Sequence, residues 1–220
     1  MKNGIIFLVV TALVILILVF TYKIVKNINA QKEVDELYAS HKRNKVFILR
    51  VLDAAFGKNK VIKAAQIPVK TSGGFAEPAV SDALMVTRAG IIVISIIGQS
   101  GKLDNPQSGL WRLLDRNGQI ITLENPFQKN QYMIEVLKKL LRKDGFHNIT
   151  FHSLVVIANS DGVLPKYTYR DMLSDKNILE EIKNIMIEKQ LSFTEIQDVQ
   201  ATIRKNLIRK KAPPSSETKA

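Results

Sequence analysis

The chain has no cysteine. Disulfide frameworks, thiolate zinc sites and cysteine nucleophiles are therefore excluded, and the composition suits a reducing compartment. Histidine is nearly as scarce, with only His41, His147 and His152. His147 and His152 stand five apart, which does not match the i, i+4 pair that a helix offers to zinc. Both flank an expected strand start, where packing or exposed roles are the simpler explanation. Tryptophan occurs once, at Trp111. A single indole can stack on a base, but a lone one more often packs across a hairpin. Acidic residues are outnumbered: 20 Asp and Glu stand against 32 Lys and Arg, a formal charge of +12. That balance admits nucleic acid or the anionic face of a membrane as partner. It also fits a protein that is merely basic beside a membrane.

One long stretch lacks charge altogether. Residues 5–22, IIFLVVTALVILILVFTY, carry no Asp, Glu, Lys, Arg or His. At the helical rise, these residues cover about 27 Å, most of a bilayer core. The run is too long for the apolar core of a signal peptide, and no small-x-small cleavage site closes it. An uncleaved transmembrane helix is expected. Lys2 precedes the span, whereas Lys23, Lys26 and Lys32 follow it. The excess of cations after the span predicts a single-pass cell-membrane protein with its C-terminal bulk in the cytoplasm. The glycosylation sequon Asn148-Ile149-Thr150 would then never meet its machinery.

Beyond the span, the pattern divides into a juxtamembrane helix or linker at 23–43, a domain at 44–190, a C-terminal helix at 191–208 and a basic disordered tail at 209–220. The stretch NKVFILRVLDAAFG predicts a helix with Val46, Leu49, Leu52 and Phe56 on its apolar stripe and Gly57 at its end. KVIKAAQIPVK predicts a strand and TSGGFAEP a loop. DALMVTRAGIIVISII predicts a hairpin turning near Ala89. GLWRLLDRNGQIITL predicts a second hairpin around Asn117-Gly118. Asn125-Pro126 opens a helix with Met133, Val136, Leu137 and Leu140 on one stripe. ITFHSLVVIANS is a strongly apolar strand, and a helix follows at about 175–188. Ser192-Phe193-Thr194-Glu195 is a capping box for the last helix. The order predicts an α/β fold with a mixed sheet covered by helices. Residues 91–97 and 153–158, apolar on both faces, are expected to be its central strands. No internal repeat is visible.

The stretches SDALMVTRAGIIVISIIGQSGKL, NPFQKN and FHSLVVIAN, with a Trp between the first two, resemble the nuclease-related domain (NERD) family in order and spacing. The resemblance covers residues 44–160. That family shows an Asp, then GIFVIE-x-K on a strand, a turn with SG, and NP-x-x-Q. It is similar to the PD-(D/E)xK nucleases, so the implied fold is a restriction-endonuclease-like mixed β-sheet flanked by helices, here preceded by one N-terminal transmembrane helix. The implied activity is metal-dependent cleavage of nucleic acid. Such chemistry uses a divalent ion to neutralise developing charge and activate water. Magnesium-type ions require hard oxygen ligands. The lysine sits two residues past the glutamate because that spacing keeps both on one strand face.

Carried over residue by residue, the resemblance matches Asp82 to the family aspartate. It puts Ser95 at the glutamate position and Ile97 at the lysine position. Ser100-Gly101 retains the SG. A hairpin turning near Ala89 would set Asp82 across from about residue 96, beside both replaced positions. The family's glutamate near the first helix has no counterpart in Arg43-Asn44-Lys45. Asp82 is thus left as the one expected metal ligand, and a lone Asp beside a serine is a poor divalent site. A catalytically degenerate fold is expected, serving as a nucleic-acid-binding or interaction module with no cofactor. An active nuclease using Mg²⁺ and a migrated carboxylate is the alternative, with Glu77, Asp104 and Glu124 as acidic candidates and Lys102 as the basic one. A membrane-associated scaffold is the third.

Gln128 would lie at the site's edge and touch substrate, or simply tie down a loop behind a helix capped by Asn125 and Pro126. GQSGK, residues 98–102, lacks the first glycine and the Ser or Thr of a phosphate loop. Lys138, Lys139, Arg142 and Lys143 form either a basic face for DNA or a solvated helix end whose cations suit the dipole. Arg209, Lys210 and Lys211, with Arg204 and Lys205 before them, are expected to meet anionic lipid or nucleic acid.

Overall fold

The computed structural model describes residues 2–39, 44–71, 74–99, 102–104, 109–114, 118–158 and 172–208. The expected tail at 209–220, with Arg209, Lys210 and Lys211, lies outside them, as do His41, Ser100 and Gly101.

Helix α1 (Lys2–Ala39) runs 38 residues without a break. No proline interrupts it, so the apolar span and the polar segment expected after it form one rod. Its window Thr11–Asn29 has a mean hydropathy of 1.8 and buries none of its length against the protein. By length and composition this helix suffices to cross a membrane.

Helix α2 (Lys45–Phe56) is capped by Asn44, whose side chain accepts from the Phe47 N–H at 3.1 Å. It ends at Gly57, where φ is +96°. Its buried face is Phe47, Ile48, Val51 and Leu52. The expected stripe is displaced: Val46 is exposed and only Leu52 of the four is fully buried. The sequence KVFILRVLDAAF is apolar around most of its circumference, so spacing alone selects no unique face.

Three long strands follow as an antiparallel meander: β1 (Val61–Thr71), β2 (Gly74–Thr87) and β3 (Gly90–Ile97). The loop expected from TSGGFAEP is shorter than its composition implied, because Thr71 already pairs with Gly74. The register of β1 shifts between Ile67 and Val69, around Pro68, which has no N–H to give the ladder. The β2–β3 hairpin turns at Arg88-Ala89, with Thr87 opposite Gly90.

Next come three short strands, β4 (Lys102–Asp104), β5 (Leu110–Leu114) and β6 (Ile120–Glu124). They form a separate three-stranded sheet, so the second hairpin is not added to the main sheet. Helix α3 (Pro126–Lys143) leads to β7 (Phe151–Ile157), then β8 (Met172–Ser174), helix α4 (Ile178–Ile185) and helix α5 (Phe193–Lys205). The main sheet has the order β1-β2-β3-β7-β8, with β3–β7 and β7–β8 parallel. It is a mixed sheet flanked by helices.

Alternation along the strands sorts the core. Ala83, Met85, Ile92, Ile94, Leu154 and Val156 pack with α2 and α4 on one face. Leu84, Val86, Ile91 and Val93 pack with Met133, Leu137 and Leu141 of α3 and with Val199 and Ile203 of α5 on the other. A third cluster joins Ile97, Val155 and Ile157 to Leu103, Trp111 and Leu113 of the small sheet. All eight residues of β3 are buried. At about 2 kcal/mol for each large aliphatic side chain removed from water, this strand is a main contributor to stability.

Candidate functional site

The β2–β3 ladder runs from Thr87↔Gly90 to Ala83↔Ile94 and then stops. Continuing the same register sets Asp82 across from Ser95, one residue from the expected position. Beyond Ala83, side chains take over from backbone. The Ser81 hydroxyl donates to Ile94 O at 3.1 Å, and Asp82 Oδ2 accepts from the Ile96 N–H at 2.7 Å. The other side of β2 is irregular at the same point: the β1–β2 register skips the pair Ala64–Asp82. Ala64 adopts φ +47°, a left-handed conformation that is costly for a residue with a Cβ and typical of functional or distorted sites.

Asp82 shares a face with Leu84, and Ser95 with Val93, so both turn toward α3. The second oxygen of Asp82 is held by cations. Lys45, the first residue of α2, hydrogen-bonds to Oδ1, and Lys129 of α3 reaches the same atom at 3.8 Å. The Asp82 side chain is 8% exposed, against 47% for Lys45 and 22% for Lys129. The aspartate side chain is thus enclosed while both lysine side chains are partly exposed. Gly98 makes the approach of α2 possible: a Cβ there would lie 2.9 Å from the Lys45 backbone nitrogen.

Ser95 turns away from Asp82 in its hydrogen bonding. Its hydroxyl donates to Asn130 Oδ1 at 2.7 Å. The Asn130 amide donates to Leu154 O, Ser153 Oγ and Val93 O at 3.0, 3.1 and 3.3 Å. Asn130 is fully buried and pins α3 to β3 and β7 through a satisfied neutral network. Ile97 is 6% exposed and packs in the cluster of Trp111, Leu113 and Val155. Trp111 has no exposed surface and meets Phe127 edge-on, with centroids 5.9 Å apart. Its indole is packing, out of reach of a nucleobase.

Gln128 is exposed, and its backbone N–H points to Asn125 Oδ1 at 3.4 Å. Asn125 also accepts from Phe127 N–H, and Pro126 holds the first helical position. Glu77 lies five residues up β2 from Asp82, on the order of 16 Å along the strand. Glu124 is an exposed end residue of β6, Lys102 is exposed on β4, and Asp104 is on β4 opposite Arg112. None of these is among the described partners of Asp82.

On α3, Lys138 is engaged with Glu135 at 3.1 Å and stands 6.0 Å from the Phe151 ring centroid. Lys139, Arg142 and Lys143 are exposed. His152 Nε2 contacts Ala89 O at 3.2 Å and so supports the hairpin turn.

A divalent ion of the kind a nuclease uses does not suit this donor set. Of the three motif positions only Asp82 offers a carboxylate, and its two oxygens face two ammonium groups and a backbone N–H. No group of three His, Cys, Asp or Glu side chains is arranged to hold a metal among the described residues.

Sequence reasoning passed over Lys45, Lys129 and Asn130. Asn130 carried a signal, since it falls on the buried stripe Asn130, Met133, Leu137, Leu141, where a polar residue needs partners. The lysines carried none, because a cation at a helix start looks like any solvated one.

No curated protein and no solved structure matches the chain. The family model for the nuclease-related domain matches residues 41–158, a span that runs from before α2 through β7 and contains Asp82, Ser95, Ile97, Lys129 and Asn130. The chain belongs to the nuclease-related domain family.

Proposed function

We propose that this protein is a membrane-held nuclease-related domain with a restriction-endonuclease-like core that no longer cleaves and instead binds nucleic acid. One observation carries the proposal: the remaining family carboxylate, Asp82, is engaged by Lys45, Lys129 and the Ile96 N–H, while Ser95 and Ile97 stand where glutamate and lysine are needed. Without a second carboxylate, no hard-oxygen seat forms for the ion that would activate water. The reading assigns no cofactor. The net charge of +12 and the exposed Lys139, Arg142 and Lys143 favour a polyanionic partner. Arg209, Lys210 and Lys211 would add to that attraction or meet anionic lipid.

The test uses the full chain in non-ionic detergent, mixed with supercoiled plasmid and Mg²⁺ or Mn²⁺. The expected result is intact plasmid retained in a salt-sensitive complex. Nicking that disappears in Asp82→Ala would establish an active nuclease instead. Placement in the membrane, with Lys23, Lys26 and Lys32 on the cytoplasmic side, is tested separately. The absence of native cysteine makes a single introduced one an unambiguous label. Ser192→Cys should be shielded from a membrane-impermeant maleimide in intact cells and labelled after lysis.

A further inference from the structure

We propose that Lys45 and Lys129 replace the divalent metal of the ancestral site, and that their surplus charge receives one phosphodiester group of a nucleic-acid backbone. The inference rests on the nucleic-acid-binding function proposed above. It assigns that function a centre and residues, independent of the basic end of α3.

Charge balance is the first argument. Two ammonium groups converge on Asp82 Oδ1, leaving the trio at net +1. The Asp82 side chain is 8% exposed, those of Lys45 and Lys129 47% and 22%, so the cluster borders solvent on its lysine side and not on its aspartate side. An ammonium has three donors; Lys45 gives one to Asp82, and Lys129 stands in ion-pair range at 3.8 Å without hydrogen-bonding to it. The donors left over are held beside a buried carboxylate, so the position of the amines is set before a ligand arrives.

Geometry is the second. Lys45 comes from the first turn of α2 and Lys129 from the first turn of α3. Both helices therefore present their positive ends near the same carboxylate. The helix amides are not the donors proposed here, because Asn44 and Asn125 side chains already cap them. The lysine amines are. A phosphodiester carries one negative charge and two unbridged oxygens, matching one surplus charge and two amines. A divalent cation would meet two like charges instead.

The test is performed on the full chain in non-ionic detergent with a fluorescent 20-base-pair duplex. Amine acetylation of the wild-type protein, read by mass spectrometry, should fall at least threefold at Lys45 and Lys129 when the duplex is added. Unchanged acetylation at both lysines in a protein that does bind DNA overturns the inference and leaves the broader function standing. Absence of any DNA binding overturns both. Protection by phosphatidylserine vesicles but not by the duplex also overturns the inference, because it assigns the amines to lipid. Lys45→Met/Lys129→Met should weaken duplex binding about tenfold and lower the salt slope by about one to two. Lys45→Arg/Lys129→Arg, which keeps both charges, should bind within about threefold of wild type. Equal loss in the Met and Arg pairs would point to a structural effect and overturn the phosphate assignment.

Discussion

The two ends of β3 are built differently. At its start, Gly90 (φ +118°) lies so close to β7 that a Cβ would stand 2.1 Å from Thr150 O. Ile91 N–H donates to that same oxygen at 2.9 Å. Thr87 Oγ1 donates to Gly90 O at 3.1 Å and His152 Nε2 meets Ala89 O at 3.2 Å, so side chains here brace a ladder that the backbone already closes. At its end the β2 ladder has stopped, and side chains of Ser81, Asp82 and Asn130 satisfy what backbone would otherwise pair. Substitutions at the second end should therefore disturb the fold less than those at the first, because the first end and the core carry the architecture. The second end is itself divided. The Asn130 network is neutral and buried, whereas the Asp82 cluster is charged and opens to solvent through its lysines.

This contrast breaks most directly at Gly90. Gly90→Ala should cost about 3 kcal/mol or more, since the clash is with strand backbone and φ is unfavourable for alanine; urea unfolding would measure it. The matched change at the far end, Gly98→Ala, meets the Lys45 nitrogen at 2.9 Å. It should cost less, about 1–2 kcal/mol, because the approach is longer than at Gly90 and Gly98 has no positive φ to strain an alanine. Equal costs would refute the difference between the ends. Asn130→Leu should cost about 3 kcal/mol in the same experiment, by stranding the Ser95 and Ser153 hydroxyls and adding bulk to a packed stripe.

Asp82→Asn is expected to be milder, about 1 kcal/mol. An amide oxygen still accepts from Ile96 N–H, and the lost partners are part-exposed lysines whose ion pairs are screened. A cost above that of Asn130→Leu would show that the charged cluster holds the fold. The smallest effect lies far from both ends, at the α5 capping box. The Ser192 hydroxyl and backbone N–H both donate to Glu195 and lower its pKa below the ordinary 4.5. A lowered folded-state pKa gives stability that is present above the unfolded value and lost as pH falls through the folded one. Glu195→Gln should therefore differ slightly from wild type at pH 6 in amide exchange of α5 and converge with it near pH 3.

Elements with local chemistry were legible in the sequence. The Asn125-Pro126 start of α3, the Ser192 capping box and the Arg88-Ala89 turn all stand where residue type requires them. The short partners were not. β4 and β8 have three residues each, too few for a period to show. The face of α2 also escaped, since an apolar circumference offers no stripe. At the candidate site, Asp82, Ser95 and Ile97 were singled out by the family resemblance, but their surroundings were not.

The sequence by itself determined an apolar helix near the N-terminus, a hairpin that carries Asp82 and Ser95, and the family to which residues 41–158 belong. These are matters of residue type and spacing along the chain. Only the tertiary structure decided that Lys45 and Lys129, 84 positions apart in the chain, meet at Asp82, and that Ser95 answers to Asn130. Contacts between distant helices depend on how α2 and α3 seat on opposite faces of the sheet, which no local pattern encodes.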